Sequence, residues 1–175
     1  YTVTLDQQNG TGGTESVIAT YNSAMPSITV PTRTGYTFGG YYTEANGGGT
    51  QYYKADGTSA KNWDKTSATT LHAKWTENTY TVTINNDGHG TTSPSGEQTV
   101  GQVTSTTITA TPSTGYQFHS WTCEGGVVKV SESNTTEQGS ITITATATGT
   151  VTANFEPIPE TKYDVEIIAG ANGSV

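Results

Sequence analysis

The chain has 175 residues, 31% of them apolar and 13% charged, with 21 glycines and a net charge of −8. That length fits one medium domain or two small ones, and the low charge content sets it apart from charge-rich disordered chains. The acidic balance, with no basic stripe to neutralise phosphates, speaks against nucleic-acid binding and anionic membrane surfaces, and no apolar run reaches the length of a membrane span.

The first element opens at once. YTVTLD at Tyr1 alternates apolar and polar residues, which puts Tyr1, Val3 and Leu5 on one face of a strand and Thr2 and Thr4 on the other. The same phrase returns as YTVTIN at Tyr80 and as YDVEII at Tyr163. Each is followed by a glycine-rich turn, QQNGTGG, NNDGHG or AGANG, able to supply the positive φ angles of a hairpin. The pattern predicts strand, turn and return, written three times. No secretory leader is read before Tyr1, and the chain is expected to be a piece of something longer.

Further along the first unit, NSAMPSITVP (22–31) predicts a short helical turn, capped by Asn22 or Ser23, that buries Met25 and Ile28. GYTFGGYYT (35–43) follows, then ADGTSAKNWD (55–64), read as a turn and a second short helix near Trp63. TTLHAKW (69–75) closes the unit as a strand. The second unit lacks both helical segments and predicts strands over 106–111, 116–122, 126–131, 140–146 and 150–155. Its GYQFHSW repeats the earlier GYTF phrase, and its GTVTANF (149–155) matches the earlier closing strand.

The chain therefore divides into a module at 1–79, a second at 80–162 and the start of a third, truncated repeat at 163–175. TENT (76–79) and PIPETK (157–162) read as short connectors. The fold class is β-rich in tandem small modules, the first mixed β with a little helix and the second all-β. Residues 1–79 are expected to fold alone. The strand at 163–168 is expected to pair with an available sheet edge, because an orphan alternating strand leaves backbone and apolar groups unpaired.

Small modules need large anchors, since an aromatic buries roughly 150–250 Å². The GY-x-F phrase is accordingly read as core, with Trp75 and Tyr42 in the first unit and Trp121 and Phe155 in the second as its apolar bodies. Tyr41–Tyr42 and Tyr52–Tyr53 are adjacent pairs, and neighbours on a strand point to opposite faces. At least one ring of each pair is expected to be partly exposed. Tyr42, Tyr53 and Trp63 form the candidate surface for a glycan or protein partner, because exposed planar rings stack on sugars and anchor partners.

GYTFGGYYT, the following GGGTQYY and the closing TTLHAKW resemble the internalin B-repeat, also called the Listeria–Bacteroides repeat. Its usual pattern is GYTF-x-GWYT, then Gly-Gly-Thr, then TLYAKW. Tyr41 stands here at the usual Trp position and His72 at the usual Tyr position, and both keep a ring. TTSPSG, ATPSTGYQFHSW and TVTANFE in the second unit resemble the divergent version of the repeat. The resemblance implies a β-grasp-like first module, tandem repeats on secreted or surface-attached bacterial proteins, and no catalytic residues.

The residues themselves point to little chemistry. His72, His89 and His119 are dispersed over two modules without metal-like spacing. NNDGHG (85–90) lacks the alternating acids and terminal Glu of a calcium loop. Cys123 cannot form an intramolecular disulfide and is read as a small buried hydrophobe. No G-x-S-x-G elbow occurs, and Glu124, Glu132 and Glu137 sit in turns of a module too small for a deep cleft. The expectation is no catalytic residue, no cofactor and no metal. The function expected is a non-catalytic tandem repeat of a bacterial cell-surface or secreted protein, acting as stalk and adhesion surface. Its partners would be neighbouring repeats and a surface protein or glycan. The alternative is a carbohydrate-binding accessory module of a secreted glycoside-active enzyme.

Overall fold

The computed structural model describes residues 1–160 as two β-sheets in succession along the chain. The third, truncated repeat and the pairing expected of 163–168 lie outside the described residues.

The first sheet is built from β1 (Thr2–Asp6), β2 (Ser16–Ile18), β3 (Tyr36–Tyr42), β4 (Gln51–Tyr53) and β5 (Thr69–Glu77), in the spatial order β2-β1-β5-β3-β4. β1 returns antiparallel as β2 and lies parallel to β5, with Val3 opposite Thr69 and Asp6 opposite His72. The alternation decides which face is inner: Val3 and Leu5 are buried, Thr2 and Thr4 exposed. The sheet is thus mixed, with one parallel pair, β1 with β5, among antiparallel neighbours.

The helices expected around it do not form. Among the described residues of this module, helical structure is confined to one 3-10 turn at Ala45–Gly47. The segments at 22–31 and 55–64 instead cross as irregular chain tied to each other. The Asn22 N–H donates to the Trp63 carbonyl (2.7 Å), the Trp63 N–H donates to the Ser23 carbonyl (2.9 Å), and Ala24 bridges Asn62. Pro26 withholds a donor and biases Met25 towards extended backbone, so long-range partners win over a local helix. Met25 is buried all the same, and Ile28 packs against the core.

The second module uses longer strands: β6 (Thr79–Asn86), β7 (Gly90–Ser93), β8 (Gly96–Gly101), β9 (Thr106–Pro112), β10 (Tyr116–Asn134) and β11 (Gly139–Pro157). The pairs expected at 116–122 with 126–131, and at 140–146 with 150–155, merge into the two long strands of one hairpin. β10 runs along one side of β11. On the other side β9 pairs with the first half of β11 and β6 with its second half. The hairpin bends between the two halves, where the register shifts between Gly125 and Val127. Gly125 has φ +69, and a Cβ on Gly149 would lie 2.8 Å from the Val127 side chain, so glycine is what permits the bend. The two halves then close on one core of Val82, Ile84 and Val100 from one side and Ile108, Ile141 and Ile143 from the other. The module is all-β among its described residues.

The GY phrase is built the same way in both modules. Gly35 (φ +80) and Gly115 (φ +86) end matching turns in which the Tyr36 and Tyr116 N–H groups donate to the Arg33 and Ser113 carbonyls. Phe38 sits opposite Trp75, and Phe118 sits opposite Phe155. The phrase pairs with the closing strand and sets its aromatic against the closing aromatic.

Candidate functional site

The structure separates the three rings expected to share a surface. Tyr42 lies on the outer face of the first sheet. Tyr53 and Trp63 are each 0% exposed. Tyr53 stands opposite Tyr41 with ring centres 6.1 Å apart, and its hydroxyl donates to the Pro26 carbonyl (2.9 Å). Trp63 packs on Tyr52 at 5.0 Å between centres, and the Tyr52 hydroxyl donates to Asp64. Both rings of the Tyr52–Tyr53 pair are therefore buried, contrary to the expectation from strand alternation. β4 is a three-residue edge strand, and the segments at 22–31 and 55–64 supply Pro26 to Tyr53 and Trp63 to Tyr52. A partner surface made of Tyr42, Tyr53 and Trp63 does not exist as such.

Burial raises the phenol pKa of Tyr41 to about 12, with the negative charge of Asp6 and Tyr53 adding to it, and raises that of Tyr53 to about 12. Tyr52 is raised further, first by desolvation and then by its bond to Asp64. Among the described residues, the buried Tyr41 hydroxyl and Trp63 Nε1 have no hydrogen-bond partner. Tyr41 and Trp63 act as packing bodies.

What Tyr42 does face is a row across four strands. Asp6 on β1, His72 on β5, Tyr42 on β3 and Gln51 on β4 are in register. His72 Nδ1 lies 3.1 Å from the Asp6 carboxylate. Asp6 is held below the usual carboxylate range, mainly by the backbone N–H of Gln8 and further by His72. Lys74, one step along β5, sits 5.9 Å from the centre of the Tyr42 ring. This row was not read from the sequence. Its residues are 66 positions apart at their extremes, and only the parallel register of β1 and β5 joins Asp6 to His72.

In the second module the ring of Trp121 is half-buried rather than fully enclosed. It packs on Phe118 at 5.4 Å, while its Nε1 donates to the Asn134 side chain (3.2 Å) at the surface. Cys123 is also half-buried, and burial pushes its thiol pKa up, as for an inert packing thiol. The NNDGHG turn uses its oxygens on the backbone. Asn86 accepts from Gly88, while Asp87 accepts from the His89 N–H (3.1 Å) and from the Phe155 N–H (2.7 Å). The His89 ring stacks on Tyr116 at 4.1 Å. His119 lies exposed, 3.3 Å from Glu156. Among the described residues no three His, Cys, Asp or Glu side chains come together as a metal cluster would.

A shallow cleft of about 420 Å³ is lined by Pro112, Tyr116, Gln117, Thr136, Glu137 and Ile158. Gln117 within it already donates to Glu156 (2.7 Å). Among the described residues that line it, Glu137 is the single carboxylate, so the lining offers no pair of carboxylates across a gap.

Residues 1–74 match the Listeria-Bacteroides repeat domain, and residues 80–159 match the divergent InlB B-repeat domain. No solved structure matches the chain. The two matches leave 75–79 between them and together take in both GY phrases, the closing strand of the second module and the first closing strand up to Lys74. Residues 1–74 thus belong to the Listeria-Bacteroides repeat domain and residues 80–159 to the divergent InlB B-repeat domain.

Proposed function

We infer that this pair of repeats is a non-catalytic stalk and adhesion element of a bacterial surface or secreted protein, held outside the cell through other parts of the parent chain. Repeats of the Listeria-Bacteroides type are typical of such proteins, which supports the reading. The observation that carries it is how the aromatic phrase is used. In both modules the phrase packs against the closing strand, Phe38 opposite Trp75 and Phe118 opposite Phe155, so these aromatics hold the module together.

The adhesion partner is a surface protein or a glycan, and the outer row around Tyr42 is the face offered to it. The rival reading, a carbohydrate-binding accessory module, is weakened because two of its three stacking rings are buried. Antibody labelling and protease shaving of intact cells that make the parent protein test the location. A repeat region inaccessible from outside overturns the stalk. A glycan array and a cell-surface binding assay, each run with the native chain and Tyr42→Ala, test the face. Saccharide binding that survives Tyr42→Ala removes the outer row from consideration.

A further inference from the structure

Both modules place their first and last strands side by side and parallel. In the first, β1 pairs with β5 from Val3–Thr69 to Asp6–His72. In the second, β6 pairs with β11 from Val82–Gly149 to Asn86–Ala153. Two sheets with different covers thus share the same placement of their ends.

The placement has a mechanical consequence. In a parallel pair the start of one strand and the end of the other lie at opposite ends of the ladder. Tension applied through the chain pulls the two strands along their own axes in opposite senses. Every hydrogen bond of the ladder is then strained together, and none can open first. In an antiparallel pair loaded from its adjacent ends, the bonds open one after another.

These terminal strands are also interior. β1 lies between β2 and β5, and β5 between β1 and β3. β6 lies between β8 and β11, and β11 is flanked by β10 along both halves. Pulling out either end therefore strains two ladders at once. The side chains at the clamp add apolar contact, since Val3, Leu5, Leu71, Val82, Ile84 and Val151 are all buried.

The connection between modules carries load straight from one clamp to the next. β5 ends at Glu77 and β6 begins at Thr79. The single residue between them is held on both sides: the Asn78 N–H donates to the Gly35 carbonyl (2.9 Å), and the Asn78 carbonyl accepts from Gln102 (2.9 Å). The Glu77 carboxylate accepts from the N–H groups of Val103 (2.8 Å) and Thr104 (2.6 Å) and from the Thr104 hydroxyl (2.7 Å). A Cβ at Gly101 would collide with that carboxylate, so the loop is shaped to receive it. The connector expected at 76–79 is thus a splice.

We propose that each repeat is a shear clamp and that the pair is a load-bearing element, built to stay folded while the chain is pulled from its two ends. The proposal deepens the stalk reading and rests on it for its biological use only, because the mechanical behaviour is a property of the purified chain.

The test is single-molecule pulling on the full chain with Cys123→Ser, in two attachment geometries at one loading rate. In the first, handles are fused at the two termini. In the second, one handle is at the N-terminus and the other at Thr20→Cys, an exposed position just past β2. That geometry opens β1 from its end, where Thr2 faces Ile18. The expected result is that the terminal geometry ruptures the first module at about twice the force at which the Thr20 geometry opens the β1–β2 ladder, or more, since forced unfolding follows the barrier along the pulled direction. In the terminal geometry each module is expected to release about 240 Å of chain, from roughly 3.5 Å per extended residue less the folded span, whereas the Thr20 geometry loads only the first 20 residues and releases about 70 Å at most. A terminal unfolding force equal to or below the Thr20 value overturns the clamp. A high terminal force in a protein that labelling places inside the cell would leave the clamp standing and sink the stalk.

Discussion

Trp63→Ala is the sharpest test of how the first module is held together. Trp63 is fully buried, packs on Tyr52 at 5.0 Å, and exchanges backbone bonds with Asn22 and Ser23 on the crossing segment. Truncating a buried Trp costs about 3–5 kcal/mol. A module of this size has a total stability of roughly 4–11 kcal/mol at about 0.05–0.15 kcal/mol per residue. The variant should therefore stand close to the unfolding threshold, with a Tm lowered by about 12 °C or more at some 4–8 °C per kcal/mol. Trp63→Phe keeps most of the ring and removes the unpartnered Nε1 donor, so its loss should stay below about 2 kcal/mol. Urea and thermal melts on the full chain, with two-dimensional NMR to follow each module's own resonances, would separate the two unfolding events. The second module's transition should not move. A Trp63→Ala shift under about 4 °C, or glycan binding lost at unchanged stability, would refute the assignment of this ring to the core.

Three further outcomes follow from named contacts. Tyr41 and Tyr53 keep their protons to about 12 when folded, against about 10 when unfolded. The folded chain thus holds protons that the unfolded chain releases, and stability should fall as pH rises above about 10; a melt series from pH 8 to 11.5 that stays flat would contradict this. Glu77 is held below its ordinary value by the Thr104 N–H first, then by the Thr104 hydroxyl and the Val103 N–H, so its contribution is present at neutral pH and fades as pH falls through and below the carboxylate range. Glu77→Ala should let the two modules tumble with different correlation times in ¹⁵N relaxation, whereas identical times in variant and native chain would show the carboxylate to be dispensable. Trp121→Ala should cost about 1–3 kcal/mol, less than Trp63→Ala, because that ring is only partly buried, and a larger loss than at Trp63 would reverse the ranking.

Much of the frame was legible because it is written in period two and in repetition. The strands at Tyr1 and Tyr80, the closing strands and the GY phrase all fall where alternation and the internal repeat place them. The covering segments were not legible. Residues 22–31 and 55–64 satisfy their backbone groups through each other, and a contact 40 positions apart leaves no local period to read. The same contacts bury Tyr53 and Trp63, so the surface expected from strand alternation vanished with the helices expected beside it. Alternation predicts a free face only where nothing else covers the sheet. The bend in the β10–β11 hairpin was hidden for a different reason: the strands expected at 116–122 and 126–131, and at 140–146 and 150–155, read as separate, when each pair is one continuous strand bent near Gly125 and Gly149.

The two modules solve the problem of a small core in different ways. The first lays irregular chain over one sheet and fills the gap with Tyr41, Tyr52, Tyr53 and Trp63. The second folds a long hairpin so that two halves of a sheet cover each other, and then needs mainly Val, Ile and Ala, with two Phe rings at one end. What the modules share is confined to the parts that join their ends: the parallel first and last strands, the GY turn, and the aromatic pair that fastens the GY strand to the closing strand. The residue after the closing strand is held alike too, since the N–H groups of Asn78 and Ile158 donate to the carbonyls of Gly35 and Gly115. If burial alone had been selected, the two covers would be expected to resemble each other as much as the two frames do. Free covers on a fixed frame are what results when the path of the chain through each module is the property that matters. That shared frame is the feature on which the proposed stalk reading draws, and the proposed partner face, Tyr42 and its row, lies on the outer face of the first sheet.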